Sequence, residues 1–166
     1  MKACFIGHKV IKETEELKSS LRETILALID NGVKVFLFGS GSAFDNLSWK
    51  IVTELKKDYP YIKRAYVRAV YQQITKSYEK YLLSLYEQTY FPEKIKNAGK
   101  YSYVERNYEM INSSTYCVFY YDKEYIPQPK QARKQDKTLS PTRNSGTKIA
   151  YEYALKNKKE IFNLCK

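Results

Sequence analysis

Two short segments rich in glycine and serine are typical of turns that bind phosphate groups. The first is Gly39-Ser40-Gly41-Ser42, with Asp45 three residues further on, and the second is Ser145-Gly146-Thr147. Glycine lets backbone amides approach a phosphate closely, and a helix N-terminus adds unpaired N–H groups and partial positive charge. Each segment could therefore hold one anionic group, or be an ordinary tight turn with a helix N-cap.

Further polar residues stand where apolar, strand-like runs end. His8 follows a glycine at such an end, so it is a candidate ligand contact, although a lone histidine is also commonly structural. Asp45 could hydrogen-bond a ribose or base, or complement the dipole of the helix that begins there. Arg106 and Asn107 open a predicted helix and could face the same cleft, or Arg106 could pair with Glu109 or a neighbour on a solvated surface. The remaining candidate ligand-binding residues are Gly7, Lys9, Arg68 and Asp122.

The candidate residues would be positioned by a chain in which strands alternate with helices. Apolar β-type runs predict strands over residues 2–7, 33–38, 62–69, 116–121 and 160–164. Helical spacing predicts helices over 13–30, 44–57, 78–88, 103–112 and 145–157. The alternation implies an α/β fold in one domain over residues 1–166, a Rossmann-like three-layer sandwich with a mainly parallel sheet of about five strands. Ligands of such sheets bind beyond the carboxyl ends of the strands, where the candidate residues fall.

The basic composition predicts an anionic partner. Lys and Arg number 29 against 18 Asp and Glu, a net charge of +11, which favours nucleic acid, an acidic membrane face or a phosphorylated small ligand. Residues 123–144 have no helical or strand period, so this long basic loop is a candidate lid over a phosphate, with a solvated excursion as the alternative. Its cations are Lys123, Lys130, Arg133, Lys134, Lys137 and Arg143.

Tyrosine is unusually frequent, with 17 residues. Tyr71, Tyr120, Tyr121 and Tyr125 could stack on a base, as aromatic side chains do when they bind single strands. Most of the others are expected in the core and at its rim, because a phenol ring is apolar at one end and polar at the other.

Several classes of protein are disfavoured. No apolar run approaches the roughly 18–20 residues that a membrane span needs, and the first apolar stretch is too short for a signal peptide. Cys4, Cys117 and Cys165 are odd in number and far apart, which favours free cysteines in a reducing cytoplasm. One histidine and no paired Cys/His spacing argue against a metal site, and no cofactor is expected.

Several ordered segments resemble the YpsA-like proteins of the SLOG superfamily. Residues 4–9, Cys-Phe-Ile-Gly-His-Lys, are similar to the family's Cys-Phe-Thr-Gly-His-Arg opening, and 36–55 resemble its strand, glycine-rich loop and Asp-bearing helix. Residues 106–114 are similar to its Arg-Asn-x-x-Met-Val-Asp-x-Ser segment, and 145–154 to its Gly-Gly-Thr helix start and Glu-Tyr-Ala. The superfamily also contains the LOG phosphoribohydrolases and a domain of the DNA-processing protein DprA.

The resemblance implies a Rossmann-like domain that binds a nucleotide or nucleotide-derived ligand. It also implies a departure from the LOG enzymes, whose Gly-Thr stretch is followed within three residues by Glu, whereas here Glu152 comes five residues after Thr147. On a helix, the third and the fifth positions after the threonine point about 160° apart. Lys50 stands where the Glu of the family's usual Ala-Ala-Glu segment, after the glycine-rich loop, would fall. The site residues that the resemblance carries over are Gly7, His8, Gly39, Gly41, Asp45, Arg106, Asn107, Gly146 and Thr147.

The expected function is therefore binding of a nucleotide or nucleotide-derived phosphorylated ligand, as a sensor or a sequestering protein, rather than catalysis. One alternative is a nucleotide-processing hydrolase, for which Asp45, Asp122 or Glu152 would supply the acid. A second is DprA-like binding of single-stranded nucleic acid, which is less expected because no nucleic-acid motif is evident. Membrane binding is not expected, and self-association into homo-oligomers is common in the superfamily.

Overall fold

The apolar runs and helical patterns form a sheet with helices around it in the part of the chain that the structure, a computed structural model, describes: residues 1–127 and 144–166. The strands are β1 Lys2–Gly7, β2 Val35–Phe38, β3 Lys63–Val67, β4 Gln88–Tyr90, β5 Tyr116–Tyr120 and β6 Glu160–Asn163. The helices are α1 Glu15–Asp30, α2 Ala43–Leu55, α3 Lys76–Leu85, α4 Lys100–Ser113 and α5 Gly146–Lys156.

All six strands run parallel, in the order β4-β3-β2-β1-β5-β6. The arrangement confirms the predicted α/β, Rossmann-like three-layer sandwich, with one strand more than expected. The predicted helix 78–88 ends at Leu85 because the backbone of Tyr86 is extended, and Gln88–Tyr90 then pairs with β3 as an edge strand. Three residues carry too little alternation to be recognised as a strand.

The centre of the sheet is buried on both faces, which explains why β1, β2 and β5 are largely apolar runs. On one face Phe5 and Phe36 pack with residues of α1 and α2, among them Leu21. On the other face Leu37 packs with residues of α4 and α5, among them Met110. Two helical layers therefore reach the carboxyl ends of the strands from opposite sides.

The order in which successive strands are added to the sheet reverses at β1. Strands β2, β3 and β4 follow on one side of it, and β5 and β6 lie on the other. In a sheet of this kind, the crevice between the loops after β1 and β5 is the expected place for a ligand.

The predicted lid falls largely outside the described residues. Residues 128–143, which carry five of the six loop cations, are not among them; these cations are Lys130, Arg133, Lys134, Lys137 and Arg143. Lys123 is described, and it is exposed after β5.

The three cysteines are free, as expected, with Cys4 and Cys117 buried and Cys165 half-buried. Within the described ranges no helix is long and apolar enough to cross a membrane. Among the same residues no three His, Cys, Asp or Glu side chains form a group that could hold a metal ion.

Candidate functional site

The turn after β2, residues 39–45, is closed by a carboxylate from its own chain. Ser42 is the N-cap of α2, and its side chain accepts a hydrogen bond from the Asp45 amide at 3.1 Å. Asp45 in turn accepts from the amides of Ser40, at 2.7 Å, and Gly39, at 3.2 Å, both on Oδ2. Two of the amides predicted to face a phosphate are therefore already bound to an anion. We call residues 39–45 the β2 turn.

Asp45 is only 2% exposed. Burial raises the pKa of its carboxyl to about 6, although the hydrogen bonds from the turn and the nearby guanidinium of Arg106 act in the opposite direction. Its second oxygen, Oδ1, is buried and has no hydrogen-bond partner among the described residues. Asp45 thus organises the turn, and it is also the acidic residue in the first turn of α2, where it complements the helix dipole as considered from the sequence. The hydrogen bond to a ribose or base stays a prediction.

Arg106 holds the β2 turn from the opposite face of the sheet. It lies in the middle of α4 and is 4% exposed, with its Nη1 donating to the carbonyl of Gly39 and its Nε donating to Asn107 Oδ1 at 3.2 Å. The prediction that Arg106 and Asn107 open a helix is wrong, because α4 begins a turn and a half earlier at Lys100. The alternative pairing of Arg106 with Glu109 on a solvated surface is wrong too, since the guanidinium is buried against the turn.

Close packing explains the glycine at position 39. A Cβ there would lie 2.6 Å from Arg106 Cδ and 2.7 Å from Met110 Sδ. Gly41 is the opposite case: it is exposed, and nothing lies within 4 Å of the position its Cβ would take. The Gly41 N–H also has no hydrogen-bond acceptor in the described part of the chain. Because Gly41 is also exposed, its amide is open to a ligand.

Gly41 borders a cavity of about 360 Å³ beyond the ends of β2 and β3. The volume is within the usual range for small-molecule sites. The wall combines the β2 turn, two arginines and four tyrosines, and we call these tyrosines the tyrosine rim. The lining residues are Gly39, Ser40, Gly41, Tyr66, Arg68, Ala69, Val70, Tyr71, Tyr78, Tyr103 and Arg106.

Arg68 fastens the loop that follows β3. Its Nη1 donates to the carbonyls of Tyr71, at 2.8 Å, and Gln72, at 3.1 Å. Its Nε is buried and has no partner among the residues that the structure describes. The side chain therefore supports one wall of the cavity and places positive charge there.

The ends of β1 and β5 are joined by His8. Its ring is 1% exposed, and Nε2 lies 3.0 Å from the amide and 3.2 Å from the carbonyl of Asp122. Tyr125 stacks on the ring with 3.8 Å between centroids. Burial lowers the pKa of His8, so the neutral imidazole is favoured. The crevice expected between β1 and β5 is thus filled by the chain's own side chains.

The residues beside His8 connect this region to α2. A Cβ on Gly7 would lie 2.5 Å from Phe44, so only glycine fits there. Lys9 has an exposed side chain, and its carbonyl accepts from the Ala43 amide at 3.0 Å. These contacts are structural, and none of these residues lines the cavity.

The start of α5, residues 145–147, is built more simply. Ser145 Oγ accepts from the Lys148 amide at 3.1 Å, which is an ordinary N-cap. Gly146 is exposed with open space around its Cβ position, and Thr147 is buried. We call these residues the α5 start; they do not line the cavity.

The structure divides the predicted site residues into three groups. Gly39, Ser40, Gly41, Arg68 and Arg106 line the cavity. Ser42 and Asp45 shape the β2 turn, and Asn107 bonds Arg106. The others lie at the β1–β5 connection or at the α5 start: Gly7, His8, Lys9, Asp122, Ser145, Gly146 and Thr147.

Sequence reasoning missed five cavity residues. Ala69 and Val70 directly follow Arg68, and the other three are tyrosines: Tyr66, Tyr78 and Tyr103. Two of these tyrosines stand close in sequence to predicted site residues, Tyr66 two positions before Arg68 and Tyr103 one helical turn before Arg106. Of the tyrosines proposed to stack on a base, Tyr71 lines the cavity. The remaining three surround His8: Tyr120, Tyr121 and Tyr125.

A second, larger groove of about 440 Å³ lies between α1 and α2. Its charges pair with one another, as in Lys18 with Glu13 and Arg22 with Glu54, both at 3.4 Å. Exposed ion pairs of this kind need no ligand.

A parallel sheet with helices on both faces, and a cavity beyond the ends of its strands, defines the Rossmann-like class of α/β proteins. Within that class, the family model of YpsA, described as the YspA SLOG family, matches residues 7–152. The chain belongs to this SLOG family, and membership is consistent with a nucleotide-related function. No curated protein matches the chain.

Proposed function

We propose that this chain binds a nucleotide, or another nucleotide-derived phosphorylated small molecule, in the cavity beyond β2 and β3, and holds it as a sensor or a sequestering protein. The observation that carries the proposal is the make-up of the cavity wall. An open amide at Gly41, the guanidinium of Arg68 and the tyrosine rim share one space of about 360 Å³. Amides and guanidinium groups bind phosphate oxygens, and phenol rings stack on bases.

The phosphate is best accommodated at Gly41 and Arg68. Gly41 directly precedes the N-cap of α2, so a phosphate there would also meet the positive end of the helix dipole. The Asp45 carboxylate binds the amides of Gly39 and Ser40 and would repel a second anion at those two groups.

The placement of the acidic side chains favours binding without cleavage. Hydrolysis of a glycosidic bond uses a carboxylic acid or histidine as general acid, and the described residues that line the cavity include neither. Asp122 Oδ1 accepts from the Glu124 amide on the loop after β5. Glu152 is exposed and lies 3.9 Å from Lys148 on α5.

A thermal-shift panel tests the proposal, with adenosine 5′-monophosphate (AMP), ribose 5-phosphate and inorganic phosphate as probes. A ligand at 100 times its Kd stabilises the protein by about 2.7 kcal/mol, roughly 5–10 °C in Tm. We expect AMP to raise the Tm of the wild-type protein. Gly41→Asp should remove the shift, because it places a carboxylate at the phosphate position. Gly146→Asp is the matched control, since both glycines have open surroundings, and it should keep the shift.

Three outcomes would replace the proposal. Release of adenine and ribose 5-phosphate from AMP, followed by chromatography, would show the hydrolase. Binding of a 20-nucleotide single strand at low salt, with no shift by mononucleotides, would show DprA-like nucleic-acid binding. If no probe of the panel shifted the Tm at millimolar concentration, the cavity would not be a site for phosphorylated ligands.

A further inference from the structure

Exposed tyrosine rings are concentrated at the mouth of the cavity. Of the tyrosine rim, Tyr71 is 74% exposed, Tyr103 49% and Tyr78 41%. They come from three different parts of the chain: the loop after β3, α3 and α4. Large aromatic side chains exposed together around one cavity indicate a surface that binds an apolar or aromatic group.

Tyr71 is held in a conformation that a bulky residue rarely adopts. Its φ is +62°, in the left-handed region that favours glycine. The hydrogen bonds from Arg68 Nη1 to the carbonyls of Tyr71 and Gln72 fix this part of the loop. Strained backbone of this kind clusters at functional sites, where the surroundings maintain it. Here the strained residue is the most exposed ring of the rim.

The other two exposed rings each lie beside another side chain. The Arg106 guanidinium carbon lies 5.6 Å from the centroid of the Tyr103 ring. Tyr78 stacks on Tyr81 with 6.3 Å between centroids and 18° between planes. Both rings therefore have a neighbouring side chain on one side, and both remain about half exposed beside the cavity.

We infer that the tyrosine rim binds the base of the ligand by stacking, so that the site selects a mononucleotide with its aromatic base over a phosphorylated sugar without one. This inference rests on the proposed function, because it places the base in the cavity whose phosphate end is at Gly41 and Arg68. Tyr71, Tyr78 and Tyr103 are then the residues that determine specificity. Stacking tolerates any base, so purine and pyrimidine mononucleotides both bind.

Isothermal titration with AMP and with ribose 5-phosphate separates base binding from phosphate binding. The wild-type protein should bind AMP at least about ten-fold more tightly than ribose 5-phosphate. Tyr103→Leu and Tyr78→Leu should each weaken AMP about five-fold or more and leave ribose 5-phosphate unchanged. Tyr103→Phe should keep the AMP affinity, because the ring rather than the hydroxyl makes the contact.

Tyr101→Leu is the matched control, since Tyr101 is also on α4 and is 71% exposed but does not line the cavity. It should bind both probes like the wild type. Equal affinity for AMP and ribose 5-phosphate, insensitive to the tyrosine changes, would overturn the inference and leave the phosphate site standing. Binding of neither probe would overturn the proposed function together with the inference. The Tm of each unliganded variant shows whether it is folded.

Discussion

The β2 turn and the α5 start are alike in sequence and different in structure. Both are short glycine–serine segments in which a serine caps the helix that follows, Ser42 for α2 and Ser145 for α5. The β2 turn is fixed by Asp45 on α2 and by Arg106 on α4, and it borders the cavity. The α5 start has its cap bond and open space around Gly146.

The difference shows that a short glycine–serine turn is completed by residues from elsewhere in the chain. The Gly39 N–H donates to Asp45 and the Gly39 carbonyl accepts from Arg106, so this one residue is held by both helical layers. The amide left open is the one at Gly41, where no side chain would clash. A local motif therefore does not determine which of its amides a ligand can reach.

The largest effect is expected from removal of the carboxylate that closes the β2 turn. Asp45→Ala leaves the amides of Gly39 and Ser40 without their acceptor, which should lower the free energy of unfolding by about 2–4 kcal/mol. Asp45→Asn retains an acceptor oxygen and should cost clearly less. Urea denaturation at pH 5, where the carboxyl is largely neutral, measures both. A loss below about 1 kcal/mol for Asp45→Ala would show that the turn does not depend on this contact.

The pH dependence of stability should differ between the wild type and Asp45→Asn. Because burial raises the pKa of Asp45 to about 6 from 3.8, the folded state binds this proton more tightly than the unfolded state. Its stabilising contribution is complete below about pH 3.8 and is lost as the pH rises through about 6.

From pH 4 to 7, the wild type should therefore lose about 2–3 kcal/mol relative to Asp45→Asn. The difference between the two proteins is the quantity to measure, since the lowered pKa of His8 acts in the opposite direction in both and cancels. Parallel unfolding curves at every pH would show that the carboxyl is not buried as described.

Close packing at Gly39 should make it intolerant of a side chain. Gly39→Ala pushes a methyl group against Arg106 and Met110, and the expected cost is about 1–3 kcal/mol in the free energy of unfolding. Gly41→Ala and Gly146→Ala should stay within about 0.5 kcal/mol of the wild type, because both positions are open. If Gly41→Ala proved as costly as Gly39→Ala, the distinction between crowded and open glycines in the β2 turn would be lost.

The two N-cap serines should differ by the smallest amount. Ser145→Ala removes one cap bond and should cost about 1 kcal/mol. Ser42→Ala removes the bond from the Asp45 amide and also the 3.0 Å contact with Ser40 Oγ, so its cost should be higher, about 1.5–2 kcal/mol. Thermal unfolding of both variants measures the difference, and a greater loss at Ser145 would contradict the ranking.

The fold was predictable because its central strands are long apolar runs between helical patterns. Residues 2–7 were predicted as a strand and form β1 with those bounds. β4 was not, because a three-residue edge strand carries too weak a pattern.

The site was predictable only in part. The loops that follow the strands contain Gly39, Gly41 and Arg68, and the fold class alone directs attention to them. The position of Arg106 depends on which sheet face α4 covers, and the assembly of the tyrosine rim depends on how α3, α4 and β3 converge. Neither is encoded in the local spacing of residues.

A crystal structure of the wild-type protein soaked with AMP tests the central proposal most directly. We predict phosphate density within hydrogen-bonding distance of the Gly41 amide and Arg68, with the adenine against Tyr71, Tyr78 and Tyr103. Phosphate density at the α5 start, against Ser145 and Thr147, would contradict it and restore that segment as the phosphate site.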